Sequence, residues 1–319
     1  MTAMRWRICG MRRMERYHSN ARMPLQLSGL RSPGTIGILC GAGAAIFWAA
    51  GFTAAKRGID IGFSPVDLTF HRCVWSGLAL LPLFLRGNVA NLNGVGWRRG
   101  ITLTILGGPG LSVISYSGFL LVPLAHGGVI QPSCAALFGT ILAAIVLKEF
   151  LPLTRVIGAI VIVAGLVVIG GEAVTTIGAH GVVGDLMFVV TGAFFATFGI
   201  LLKFWRIDAI RATVVVGVVS LVLIPVQWLF VGFERMIALG AWENLVQGVL
   251  QGILAGPSAI YLFTRAVILL GAARAAVFPA LVPGFTLLVG YLALGIVPSV
   301  WQLLGFAIVL IGFRLTQKP

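Results

Sequence analysis

The chain has 319 residues, of which 59% are hydrophobic and 10% charged, and its mean hydropathy is +1.03. That leaves too little polar surface to coat a soluble domain of this size, so composition excludes an ordinary soluble enzyme and makes the bilayer the solvent. The formal charge of +14 would suggest nucleic acid in a soluble protein, but here the basic residues lie in short loops and one tail, where they set membrane topology rather than form a nucleic-acid-binding face.

Residues 1–31 carry Arg5, Arg7, Arg12, Arg13, Arg16, Arg22 and Arg31 against one acid, Glu15. No long apolar core follows within this stretch, so it reads as a disordered basic cytoplasmic tail rather than a signal peptide. Met14 and Met23 leave the natural start open.

From Gly34 onward the chain reads as ten apolar segments, at 34–55, 65–85, 101–121, 127–147, 154–170, 182–202, 208–230, 245–265, 273–294 and 299–315. Each is long enough, or nearly so, to cross about 30 Å of hydrocarbon. With the N-terminus in the cytoplasm, the tail and alternate loops collect most of the Lys and Arg. Only Lys56, Arg57 and Arg235 fall outside, and Arg72 lies within the membrane. Both termini are therefore expected to be cytoplasmic.

A shift of 147 residues superposes Gly37 on Gly184, Phe47 on Phe194, Lys56 on Lys203, Pro132 on Pro279, Gly158 on Gly305 and Gly165 on Gly312. With a one-residue gap, Gly108-Pro109 falls on Gly256-Pro257. The chain therefore reads as a duplicated unit, 32–171 and 172–319. Because each unit has an odd number of crossings, the second enters from the opposite side. The fold class expected is an all-α integral membrane protein with ten transmembrane helices in two inverted five-helix repeats, an arrangement that puts a substrate site near the midplane.

Arg72, in the second segment, is the residue most in need of a reason, because a charge at membrane depth is costly and faces a partner, a wet cavity or the interface. On a helix Thr69 and Ser76 share its stripe, while His71 points about 100° away. One reading is a guanidinium that holds a substrate carboxylate or phosphate. The other is a side chain that snorkels outward or pairs with Asp67. Trp48 and Tyr116 either line a cavity or pack between helices, and Gln131 either meets substrate or satisfies a carbonyl freed by Pro132. His71 has the intrinsic chemistry to titrate near neutral pH. His126 is expected in an outer loop, solvated. Glu149 and Asp185 read as helix-end surface ion pairs. Gly108-Pro109 and Gly256-Pro257, with Pro132 and Pro279, mark helix bends that act as hinges or as static kinks.

Cys9, Cys40, Cys73 and Cys134 show no paired spacing, and His18, His71, His126 and His180 show no i,i+4 pair. No disulfide, metal or cofactor is expected.

These features resemble the drug/metabolite transporter superfamily in its ten-helix, EamA-type branch. The resemblance rests on Ala45-Ile46-Phe47-Trp48-Ala49-Ala50, on His71-Arg72, on Pro132 followed by Glu149, on Gly158 to Gly165, and on the second-half series Gly184-Asp185-Leu186, Pro279 and Gly305. It covers nearly the whole chain beyond the tail. It implies a bacterial inner-membrane carrier, often an exporter, of small organic metabolites, with a central cavity lined by the first four helices of each half. The small four-helix relatives exchange cations for protons on a glutamate in the first helix, and 34–55 has no acid there. No GxxxxGK[ST] motif appears, so ATP is not the expected driver. The expected function is a secondary transporter, not an enzyme, working by alternating access on an anionic or zwitterionic small molecule. A lipid scramblase or an intramembrane lipid-modifying enzyme is the alternative. Substrate identity, coupling ion and oligomeric state stay open.

Overall fold

The computed structural model describes residues 33–148, 152–176, 178–270, 275 and 277–316. The basic tail and Glu149, two features singled out above, lie outside the described residues. Among the described residues the secondary structure is entirely helical. In chain order the helices are α1 (Pro33–Asp60), α2 (Pro65–Leu85), α3 (Trp97–Gly107), α4 (Pro109–Gly118), α5 (Leu124–Leu147) and α6 (Leu153–Thr176). There follow α7 (Ala179–Trp205), α8 (Ala209–Val231), α9 (Glu234–Ala238), α10 (Gly240–Leu270), α11 (Val277–Leu294) and α12 (Val300–Thr316).

Six of these, α1, α2, α5, α7, α8 and α10, are long and apolar enough to cross a membrane. Shorter apolar stretches run through α6, α11 and α12. The expected third segment is two helices, α3 and α4, broken at Gly108. A second difference lies in α1, which runs on to Asp60 and takes Lys56 and Arg57 into its last turns.

Local chemistry explains the boundaries. Ser64 caps α2 through a reciprocal box: the Asp67 N–H donates to Ser64 Oγ at 3.1 Å, and the Ser64 N–H donates to Asp67 Oδ2 at 2.9 Å. Pro65 follows at the first helical position, where its missing N–H costs nothing. Asp208 does the same for α8, accepting from the Ile210 and Arg211 N–H groups at 3.0 and 3.1 Å.

The two Gly-Pro pairs share one distortion. Gly108 has φ −116° and ψ −122°, and Gly256 has φ −85° and ψ −112°. The first ends α3 outright, and the second sits in a π-helical stretch, Gly248–Ser258, inside α10. Pro132 is accommodated within a continuous α5. Pro279 falls in the first turn of α11, where it breaks no intrahelical bond, and Pro283 is that helix's interior proline.

Helix packing follows a paired scheme. α2 packs on α8, α5 on α11, and α6 on α12. The α5–α7 contact has a counterpart in α11–α1, and the contact of α7 with α3 and α4 has one in α1–α10. Glycines set the closest approach of α6 and α12. A Cβ on Gly165 would stand 2.8 Å from the Gly305 carbonyl, and one on Gly312 would stand 2.8 Å from that of Gly158. Small residues allow such contact where no hydrophobic drive separates helix from lipid.

Candidate substrate site

Arg72 enters α2 two turns from its capped end, at a depth of about 10 Å along the helix axis. Its guanidinium lies beside the Tyr116 hydroxyl of α4. Tyr116, itself buried, donates to Gln251 Oε1 of α10 at 2.9 Å. Gln251 Nε2 is 3.5 Å from Gln247 Oε1, and Gln247 Nε2 donates to the Ala54 carbonyl of α1 at 2.9 Å. A chain of polar groups thus runs through α2, α4, α10 and α1 inside apolar surroundings.

Asp67 does not pair with Arg72. Its carboxylate is taken up by the Ser64 cap, by Gln227 Nε2 at 2.9 Å, and by Arg235 at 3.7 Å. Among the described residues no carboxylate stands within ion-pair distance of Arg72. A guanidinium offers five donors and no acceptor. The arrangement can therefore receive an anion, with the Tyr116 and Gln251 dipoles beside it.

The remaining sequence candidates divide. Ser76, one turn beyond Arg72, is buried, and a Cβ on Gly256 would stand 3.6 Å from its Oγ. Gln131 is buried and accepts from the Ser115 hydroxyl at 2.8 Å, linking α5 to α4. Trp48 packs at a tilt against Phe263 of α10, with ring centroids 5.6 Å apart. His71 is committed elsewhere. Its Nδ1 accepts from the Trp75 indole at 3.1 Å, so Nε2 carries the proton and donates to Asn244 Oδ1 at 3.0 Å. The Asn244 amide in turn donates to the Met236 and Gly240 carbonyls at 2.6 and 2.7 Å. This chain ties α2 to the start of α10 and leaves neither ring nitrogen free.

Two expectations are corrected. His126 is not in a solvated loop: it is 1% exposed in the first turn of α5, with Nδ1 2.9 Å from Asp185 Oδ1 of α7. Asp185 is correspondingly an interhelical partner rather than a surface helix-end charge. The reason is that α5 begins at Leu124, earlier than hydropathy implied, so the histidine falls inside the α5–α7 contact.

Sequence reading missed Gln247, Gln251, Gln227 and Asn244. A signal existed, since Gln247 and Gln251 form an i,i+4 pair in an apolar segment, and amides at membrane depth need partners.

The two ends of the bundle differ. Near the α1–α2 turn, both guanidinium nitrogens of Arg57 donate to Glu243, one of them at 2.7 Å. Lys56 pairs with Asp60 at 2.7 Å and donates to the Phe119 carbonyl at 3.2 Å. Toward the opposite end, a groove of about 560 Å³ opens between α1, α2, α8 and α10, walled by Phe47, Leu80, Leu83, Ile210 and Leu262. Near that end Phe84, Leu92, Leu103, Val214 and Val215 form a buried cluster, and Arg99 lies over the Trp205 ring at 5.6 Å.

Residues 35–171 match the EamA-like transporter family. A solved structure described as "Crystal structure of protein" is similar over 89% of this chain and 97% of its own length, with a TM-score of 0.59 and 19% sequence identity. At that identity the likeness speaks for the fold alone. Comparison with curated proteins gave no match.

Proposed function

We propose, from the premise that residues 35–171 place the chain in the EamA-like transporter family of the drug/metabolite transporter superfamily, that this multi-pass membrane transporter is a secondary carrier. Its substrate is a small organic anion or zwitterion, bound at Arg72. The family supplies the coarse function, a transporter of small molecules across a bilayer. The observation that carries the finer reading is Arg72, a guanidinium at membrane depth that faces Tyr116 and, among the described residues, no carboxylate.

The mechanism is alternating access between two inverted five-helix halves, ten crossings in all, with both termini in the cytoplasm of a bacterial inner membrane and export as the direction. The packing supports the inverted repeat. Exchanging repeat positions turns the Gly158–Gly312 contact into Gly305–Gly165, which is the neighbouring contact of the same seam. It also turns α5–α7 into α11–α1. The common break at Gly108 and Gly256 supports a bend shared by the halves. The Arg57–Glu243 pair ties α1 to α10 at one end of the bundle, which is what one stage of such a cycle requires.

The test is counterflow in liposomes loaded with unlabelled organic acids or amino acids and challenged with the labelled compound. Wild-type protein accumulates label transiently. Arg72→Ala abolishes this, and Arg72→Lys, which keeps the charge but loses the planar fork, weakens binding by about tenfold or more. Normal counterflow of anions by both variants would sink the assignment of Arg72.

A further inference from the structure

We propose that His126 of α5 and Asp185 of α7 form a proton-binding site that holds the two halves together at the Arg57–Glu243 end and lets them part when the proton leaves. This goes beyond the substrate reading at Arg72 and rests on it only for the premise that this end opens.

The pair joins the halves, since α5 belongs to 32–171 and α7 to 172–319. His126 is 1% exposed, and its Nδ1 stands 2.9 Å from Asp185 Oδ1. The chain around them packs on carbon. A Cβ on Gly127, next to His126, would stand 2.5 Å from the Phe119 and Phe188 rings. One on Gly184, next to Asp185, would stand 2.8 Å from the Val122 side chain. Lys56, the neighbour of Arg57, donates to the Phe119 carbonyl, which puts the pair at the same end as Arg57.

The seam does not need these groups in order to pack. Under the 147-residue shift His126 falls on Ala273 and Asp185 on Ile38, yet α11 and α1 make the counterpart contact. A buried ionisable pair offers little stability over apolar residues of like volume, and at membrane depth such groups mark ion and proton pathways. Imidazole is the side chain that changes charge between about pH 5 and 8. With His126 protonated, the imidazolium donates to the carboxylate and the pair has no net charge. Once the proton leaves, the carboxylate's charge is uncompensated among apolar walls, and hydration through an opening end relieves it. The closed end therefore binds the proton, and rising pH favours opening.

The helices packed around the pair bring few other titratable groups. α1 brings Lys56 and Asp60, which pair with each other. α4 brings Tyr116, bonded to Gln251, and α11 brings Tyr291, half exposed. α6 carries Glu172 toward this end, with its side chain outside the described residues, and α7 itself carries the exposed His180. Arg98 and Arg99 of α3, Arg155 of α6, Lys203 of α7 and Arg314 of α12 lie toward the opposite end.

The experiment follows labelling of Val122→Cys, 3% exposed beside Gly184, by a water-soluble methanethiosulfonate. It uses the purified full chain in detergent on a background lacking the native cysteines. The rate is divided by that of Leu120→Cys, at a position 57% exposed, which removes the thiol's own ionisation. With the pair intact, the ratio is expected to rise from pH 5 to pH 8, by at least about threefold overall and by no more than about tenfold per pH unit for one proton. His126→Gln should flatten this rise, while His180→Gln and Glu172→Gln should keep it. If His126→Gln does not fold, the double variant His126→Gln with Asp185→Asn, which keeps a hydrogen bond and no charge, decides. A flat ratio with the pair intact, an unchanged rise without His126, or a rise lost in His180→Gln or Glu172→Gln would each overturn the proposal. No substrate enters this measurement. A pH response with no counterflow of any anion leaves the proton site standing and removes the reading of Arg72, and counterflow with a flat ratio does the reverse.

Discussion

Arg72 and Asp67 lie little more than a turn apart on α2, yet only the carboxylate has its charge matched by protein groups. Asp67 sits at the capped end, where Ser64, Gln227 and Arg235 converge on it. Arg72 is deeper and meets the Tyr116 phenol, which in turn is bonded to Gln251 and through it to Gln247. Tyr116→Phe removes the donor that holds Gln251 Oε1. Because a hydrogen bond in such a network contributes about 0.5–1.5 kcal/mol, anion binding measured by thermal shift should weaken about three- to tenfold. His71→Phe has a different signature. It leaves the Trp75 indole and Asn244 Oδ1, both only part-buried, unpartnered, at a cost of up to about 1–3 kcal/mol in all. The melting temperature should fall, while the affinity for a carboxylate, bound on another face of α2, stays within about twofold. A large loss of affinity in His71→Phe would place this histidine in the binding site instead.

At the scale of helices, glycine positions decide how closely the elements meet. On α6, a Cβ at Gly165 would be 2.7 Å from the Val309 side chain and 2.8 Å from the Gly305 carbonyl, and the latter atom is backbone that cannot yield. Gly165→Leu should therefore force α6 and α12 apart and lower stability by at least the 1–3 kcal/mol, roughly, of an overpacked core. On α7, a Cβ at Gly199 meets nothing within 4 Å, so Gly199→Leu serves as the control and should leave the melting temperature unchanged or raise it. Equal losses in the two variants would show that the α6–α12 seam is not a tight contact. The Gly-Pro breaks act differently. By ending α3 at Gly107 and restarting at Pro109, the chain brings Ser112, Ser115 and Tyr116 to the buried side of α4. The first of the two breaks therefore helps to position the site.

For the whole molecule, one ion pair at the end of the bundle near the α1–α2 turn joins the two halves. Arg57, on α1, and Glu243, on α10, tie together helices from opposite halves of the sequence. Both are partly exposed, at 36% and 20% of their side chains, so the pair contributes no more than about 1 kcal/mol. Glu243→Gln should accordingly raise the labelling rate of Ala54→Cys, beneath this end, by about two- to fivefold with a membrane-impermeant thiol reagent, on a background lacking the native cysteines. The double reversal Arg57→Glu with Glu243→Arg should restore the slow rate. Unchanged labelling in Glu243→Gln would mean that the ion pair does not hold this end closed.

The amino-acid sequence by itself determined the solvent, the succession of apolar segments, the internal similarity of the halves and the two Gly-Pro interruptions. Each is a property of composition or local covalent chemistry: segment length sets what can cross a bilayer, and proline removes a backbone donor wherever it falls. It also singled out Arg72, because a guanidinium two turns into an apolar segment is conspicuous. What only the tertiary structure decided is which faces meet. Segments such as α5 and α11 are apolar around much of their circumference, so hydrophobic periodicity does not fix their rotation. Hence the pairing of His126 with Asp185, the commitment of His71 to Trp75 and Asn244, and the alignment of Gln247 and Gln251 with Tyr116 were not legible in the chain. Those contacts join residues separated by long stretches of sequence, and they exist only once neighbouring helices have fixed one another's rotation and depth.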